Sequence, residues 1–219
     1  MEEPAKEPCI FLLPVYSPGH LIPMVEFTKR LLQCNSGSSM SITFLLMHPP
    51  NYAATSAIST SYLQSTQALG LPIRFHQLPS VDPPVVFDGP EEFHSLYTQL
   101  HLPHIKAAIS ASSSRVSALV LDLFSTAAID VAKELNIPSY IYFSSTLTFL
   151  TMMLHLPKLP PHTELDFWET KQNLCIPGQK QKRRKTMLRK AAEKGGISYK
   201  VLDLIDLARL IYTYGVKLK

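Results

Sequence analysis

Short apolar runs alternate with helical segments along most of this chain, and this alternation constrains its fold more than any other feature. The runs CIFLLPV (residues 9–15) and SITFLLM (residues 41–47) flank residues 21–32, whose apolar residues share one helical face. This order is typical of two parallel strands joined by a crossover helix. SALVLDLF (residues 117–124) and PSYIYFS (residues 138–144) flank a second helical segment. The sequence therefore predicts an α/β fold with a doubly wound parallel sheet.

The middle of the chain fits the same alternation. Residues 52–69 have a weak helical pattern, and residues 71–79 are a strand candidate with a proline near each end. Residues 80–90 are rich in proline and predict a loop. A long helix is expected over residues 91–110, with a kink near Pro103.

Composition argues against several classes of protein. The 219 residues include three widely spaced cysteines and no CxxC pair, so neither a disulfide framework nor a zinc site is indicated. The polar start MEEPAKEP and the early Pro14 and Pro18 do not resemble a secretory signal. No apolar run approaches the length of a membrane span. We expect a cytoplasmic protein.

Charge divides the chain into two regions. Residues 1–170 carry a net charge of −6, whereas residues 171–219 carry +10, much of it in KQKRRKTMLRK. Regular alternation of strands and helices is lost at about the same place. We expect one α/β domain over residues 1–178 and a divergent basic tail, with a possible C-terminal helix, over residues 179–219.

His20 and Asp122 are the candidate catalytic residues. Each lies at or just after the carboxyl end of a predicted strand, and these ends meet at one edge of a parallel sheet. A carboxylate bonded to one imidazole nitrogen would fix the tautomer and let the other nitrogen accept a proton from a hydroxyl. The alternative is structural, with His20 capping a helix and Asp122 capping a strand end.

Familiar glycine-rich signatures are absent from this Rossmann-like pattern. The chain contains no GxSxG nucleophile elbow, and neither GxxxxGK[ST] nor GxGxxG follows the first strand. These absences argue against a serine hydrolase and against the usual phosphate-cradling loops.

Two stretches together resemble a known family. PVYSPGHLIPMVEFTKRLL and ALVLDLFSTAAIDVAKELNIPSYIYFSSTLTFLTMMLHLPKL are similar to the N-terminal half of plant family 1 UDP-glycosyltransferases, in particular the group like hydroquinone glucosyltransferase. The resemblance covers residues 8–178. It implies the N-terminal Rossmann-like domain of a GT-B glycosyltransferase whose C-terminal, donor-binding domain is absent from this chain, since no HCGW motif occurs.

The resemblance implies a reaction and roles for the two residues. His20 matches the general base that deprotonates the acceptor hydroxyl, and Asp122 matches the acid that orients it. The activity implied is inverting transfer of a sugar, expected to be glucose, from a UDP-sugar to a small phenolic acceptor. The UDP-sugar is a co-substrate, and no cofactor or metal is expected.

Further site residues follow from the same resemblance. Ser17 stands where the family usually has a glycine, and the loss of that glycine suggests strain if the turn requires positive φ. Candidate donor-binding residues are Ser17, Gly19, Ser144, Ser145 and Thr146, and the alternative for the last three is a helix N-cap. Candidate acceptor-binding residues are Phe87, Phe93, Phe143, Phe149 and Met153, and the alternative is core packing.

Other functions remain open at this level. A truncated relative could be a non-catalytic module that binds a small molecule, or it could form a dimer through the apolar face left by the missing domain. The basic run at residues 180–190 has no interleaved aromatics, so no nucleic-acid partner is expected. His94, His101 and His104 share a predicted helix, and we expect a surface or pocket-rim position for them rather than a metal site.

Overall fold

A computed structural model of the chain describes residues 7–34, 40–50, 53–146, 149–151 and 154, without the side chains of residues 53–56. The chain divides into two compact units, Met1–Ser144 and Ser145–Lys219. The predicted basic tail, its helix and the domain boundary at residue 178 lie outside the described residues and stay predictions.

A parallel sheet forms the centre of the first unit. Its strands are β1 (Pro8–Leu13), β2 (Ser41–Leu46), β3 (Ile73–Gln77), β4 (Arg115–Asp122) and β5 (Ser139–Tyr142). Within the described residues they form one sheet in the order β3-β2-β1-β4-β5, and every neighbouring pair is parallel. The predicted Rossmann-like parallel sheet is confirmed.

Helices connect the strands as the alternation predicts. They are α1 (Pro18–Cys34), α2 (Ala53–Gln67), α3 (Pro90–Ser110) and α4 (Ile129–Glu134), with a 3-10 helix at Leu123–Ala128. Helix α1 packs against α2, whereas α3 packs against the 3-10 helix and α4. The strands that follow β1 are added on one side of it and later on the other. Because each crossover is right-handed, the connecting helices are expected in two separate groups, one on each face of the sheet.

The core lies where the strands in the middle of the sheet meet the helices. Several side chains of β1 and β4 are almost completely buried, namely Leu12, Leu13, Leu119 and Leu121. Strands that are covered on both faces have continuous apolar sequences, which is why these strands can be predicted from the sequence. None of the described helices combines the length and apolar character that a membrane span requires.

The connection after β4 differs from the prediction. A single helix was expected over residues 125–137, but the chain first makes the 3-10 helix, and α4 covers only Ile129–Glu134. The side chain of Asp122 accepts a hydrogen bond from the backbone N–H of Phe124, which starts a tight turn directly at the strand end. Asn136, with φ of 53°, follows α4 and ends the helical path.

Candidate active site

His20 lies in the first turn of α1, at the carboxyl end of β1. The carbonyl of Ser17 accepts hydrogen bonds from the backbone N–H groups of His20 (3.0 Å) and Leu21 (2.8 Å), which begin the helix, and Pro18 occupies its first position. The imidazole does not cap the helix but points to Asp122, and 27% of the side chain remains exposed. The ring is therefore held at Nδ1 and partly exposed to solvent.

Asp122 is the last residue of β4 and is completely buried. One carboxylate oxygen, Oδ2, lies 2.8 Å from Nδ1 of His20, and the other, Oδ1, accepts from the N–H of Phe124 at 3.0 Å. Asp122 therefore caps the strand end with one oxygen and contacts His20 with the other, so its two proposed roles are compatible. Its position is predictable from topology, since β1 and β4 are neighbours and the strand order reverses between them, which is where open α/β sheets bind ligands.

The electrostatics of the pair suit proton transfer. Burial lowers the pKa of His20, but the hydrogen bond and the charge of Asp122 outweigh burial and raise that pKa above its usual 6.5. With Nδ1 donating to the carboxylate, the neutral ring carries its free lone pair on Nε2. The arrangement provides an oriented base with one nitrogen available to a hydroxyl.

A row of rings connects this pair to the predicted acceptor residues. The ring of Phe124 lies 5.4 Å from His20 and 6.3 Å from His94, measured between centroids. His94 is 5.4 Å from Phe93, which in turn is 5.0 Å from Phe87. Phe93 is 4% exposed and serves mainly as core, whereas Phe87 is 44% exposed and can meet a ligand.

Two members of this row, Phe124 and His94, were not among the predicted site residues. Phe124 could have been found from its position two residues after Asp122, because a strand-end carboxylate commonly accepts from that N–H. The surface or pocket-rim prediction is wrong for His101, which is almost completely buried with Nδ1 2.8 Å from the carbonyl of Tyr97. Within the described part of the chain, no group of three potential ligands could hold a metal ion.

The predicted donor-binding residues fall into two groups. Ser144 lies with its Oγ 3.4 Å from Nδ1 of His20. Gly19 is exposed, and a Cβ there would meet no atom within 4 Å. Ser17 does not require positive φ, since Asn136 is the only non-glycine residue with positive φ in the described ranges, so the expected strain is absent.

The remaining predicted residues belong to the second unit or to its border. Thr146 caps a helical turn: its Oγ1 accepts from the N–H of Phe149 at 3.2 Å, as the capping alternative proposed. Ser145 is exposed, and Phe143 and Phe149 are partly buried. Met153 lies outside the described residues. The functional roles of these residues stay predictions.

Comparison with known proteins identifies relatives of this site and fold. No protein-family model matches the chain. The chain is 37% identical over 172 residues to malvidin galactosylase of Oryza sativa subsp. indica, covering 78% of this chain and 36% of that protein. It is 32% identical over 204 residues to hydroquinone glucosyltransferase of Rauvolfia serpentina, covering 89% and 40%.

Solved structures give the same result. UGT2 of Phytolacca americana, complexed with UDP-2fluoro-glucose and pterostilbene, superposes with a TM-score of 0.73 at 32% identity, covering 96% of this chain and 46% of that one. A Medicago truncatula glycosyltransferase complexed with UDP-glucose has a TM-score of 0.72 at 28% identity, covering 94% and 44%.

Fold and site together define an α/β domain of the Rossmann-like class, with a histidine–aspartate pair at the point where strand order reverses. The homologues are plant UDP-glycosyltransferases, and the chain belongs to that family. The resemblance inferred from the sequence is confirmed. The chain spans less than half the length of the curated relatives it matches.

Proposed function

We propose that this chain carries the acceptor-binding and proton-accepting part of a UDP-glycosyltransferase that moves a sugar, expected to be glucose, to a small phenol. The observation that carries the proposal is the 2.8 Å contact between Nδ1 of His20 and the buried carboxylate of Asp122. The named activities of the relatives, a malvidin galactosylase and a hydroquinone glucosyltransferase, support a phenolic acceptor.

In the proposed reaction, Nε2 of neutral His20 takes the proton of the acceptor hydroxyl. The oxygen attacks the anomeric carbon of the UDP-sugar, the bond from that carbon to the diphosphate breaks with its electrons, and UDP leaves from the opposite face. The imidazolium that forms is stabilised by the adjacent Asp122 carboxylate. A phenol suits such a base because its pKa, near ~10, is well below that of an aliphatic alcohol.

The donor side of the proposal rests on fewer contacts. Ser17, Gly19 and Ser144 border His20 in sequence or space, and the open space at Gly19 leaves room for a ligand at the start of α1. We include Ser145 and Thr146 as donor-facing candidates of the second unit.

The test combines donor binding with turnover. Calorimetry with UDP and UDP-glucose is run on the purified chain beside a glucosylation assay on hydroquinone. We expect turnover that is lost in His20→Ala and retained in His76→Ala, a change at an exposed histidine of β3. Absence of turnover at saturating donor, or full turnover in His20→Ala, would overturn the proposal.

A non-catalytic module that binds a small molecule or a second chain is the second candidate, and exposed apolar side chains favour it. It predicts acceptor binding without turnover in the same assay. Dimer formation belongs to this candidate, and exposed apolar side chains on α1 and α2, Phe27 and Ile58, are its most plausible described contacts. Light scattering measures whether the chain is a monomer or a dimer.

We also propose a cytoplasmic location, which fractionation of the source tissue tests.

A further inference from the structure

His94 of α3 shares a neighbour with the proposed base. Its ring lies 6.3 Å from that of Phe124, and the ring of His20 lies 5.4 Å from the same phenyl group. Phe124 is held there because its backbone N–H donates to Asp122, which also binds His20. Two imidazoles, one phenyl ring and one carboxylate therefore form a single cluster at the carboxyl edge of the sheet.

The charges in this cluster are unevenly distributed. Burial and, to a smaller extent, the charge of His20 lower the pKa of His94, the charge of Asp122 opposes them, and the resulting pKa is about 4, so His94 is neutral at pH 7. No lysine or arginine among the described residues shifts the pKa of His20 or of His94. When His20 is neutral and able to act as a base, the cluster carries the single negative charge of Asp122.

We propose that His94 is a specificity-determining residue of the acceptor site, and that as a neutral imidazole it makes the site select uncharged phenols over phenols that carry a carboxylate. The inference rests on the proposed function and names the substrate class of the same site. A carboxylate on the acceptor would lie near Asp122 in a partly desolvated cluster where no described lysine or arginine offsets its charge, and like charges repel strongly there.

The test uses two ligands of nearly equal shape. Binding of methyl 4-hydroxybenzoate and of 4-hydroxybenzoate to the full chain is measured by calorimetry without a donor, so that turnover is not needed. We expect the wild-type chain to bind the ester about tenfold more tightly. Replacing His94 with arginine should abolish or reverse this ratio, because it places a permanent cation beside the ligand, whereas His94→Gln should keep it.

A matched control separates local from overall charge. His76→Arg adds the same charge at an exposed position of β3 and should leave the ratio unchanged. His94→Lys is a second cationic variant whose flexible stem is easier to accommodate if His94→Arg does not fold. Equal binding of the two ligands to wild-type protein, or an equal shift in His76→Arg, would overturn the inference.

The outcomes also distinguish this inference from the proposed function. Equal binding of both ligands together with turnover that depends on His20 leaves the function standing and removes the role of His94. Binding of neither ligand to folded wild-type chain removes the acceptor site and the inference together. A ratio that favours the ester without turnover supports the inference within the non-catalytic candidate.

Discussion

At the scale of single residues, the carboxylate of Asp122 serves two neighbours at once. Oδ2 holds the imidazole of His20, and Oδ1 holds the N–H of Phe124, whose ring packs against that imidazole. The residue is therefore part of the fold of this edge as well as of its proposed chemistry.

Changing Asp122 to asparagine should separate these two roles. The amide oxygen can still accept from Phe124, but the negative charge beside His20 is lost, so only burial acts and the pKa of His20 falls below 6.5. The proposed transferase activity should drop by roughly a hundredfold or more. NMR titration of the histidine Cε1–H signals measures the pKa, with Asp130→Asn, an exposed site, as control. An unchanged His20 titration would contradict the assigned role of Asp122.

His94 should make the folded chain sensitive to acid. Its pKa is about 4 in the folded state, against 6.5 when unfolded, so the unfolded state takes up a proton first as the pH falls. The contribution is present above pH 6.5 and is lost towards pH 4, a change of about 3 kcal/mol in the free energy of unfolding.

Urea unfolding at pH 7 and pH 4.5 measures this difference. The fall in stability between the two pH values should be smaller by about 2–3 kcal/mol in His94→Gln than in the wild-type chain. The control His76→Gln should behave as the wild-type chain does. A parallel fall in all three proteins would show that His94 titrates normally in the folded state.

At the scale of elements, α3 is tied to the segment after β2 by one buried hydroxyl. Tyr97 is 2% exposed, and its OH donates to the carbonyl of His48 at 3.1 Å. Tyr97→Phe removes this donor from a partly buried acceptor and should lower the free energy of unfolding by about 1 kcal/mol. Chemical denaturation measures the change, and Tyr140→Phe, 60% exposed on β5, should be near neutral. Equal effects at the two positions would refute the importance of this bond.

Elements with strong periodicity were predictable, and so was the meeting of the two site residues. Burial on both faces of β1 and β4 produces apolar runs that show where these strands end, and parallel strands bring His20 and Asp122 to one edge. The turn after β4 was misread, because an apolar helical pattern does not show that the Asp122 side chain will form the first turn itself.

The rotation of α3 about its axis was the main feature that the sequence could not show. The apolar pattern of this helix is weak, so the sequence does not show whether His94, His101 and His104 lie on its buried or its exposed face. Packing against the 3-10 helix and α4 turns His101 into the core and places His94 beside Phe124. Tertiary contacts between distant segments decide such a rotation, so it cannot be read from local periodicity.

At the scale of the whole molecule, the proposed chemistry belongs to one of the two units. Met1–Ser144 contains all the strands described here together with His20 and Asp122. A chain that ends at Ser144 should unfold cooperatively and keep the raised pKa of His20, because Asp122, whose hydrogen bond and charge raise that pKa against the effect of burial, lies within this unit. Thermal unfolding and histidine NMR test both points. Loss of the His20 shift in a folded shortened chain would show that the second unit shapes the site.

The 102 residues that separate His20 from Asp122 also set an order of assembly during synthesis. At about 5–20 residues per second, roughly 5–20 s pass between the emergence of the histidine and that of its partner. Through that interval β1 can pair with β2 but not with β4, so the strand destined for the middle of the sheet has one open edge. The nascent chain is most exposed to aggregation at that stage, and the arrival of β4 closes the edge and completes the site in the same event.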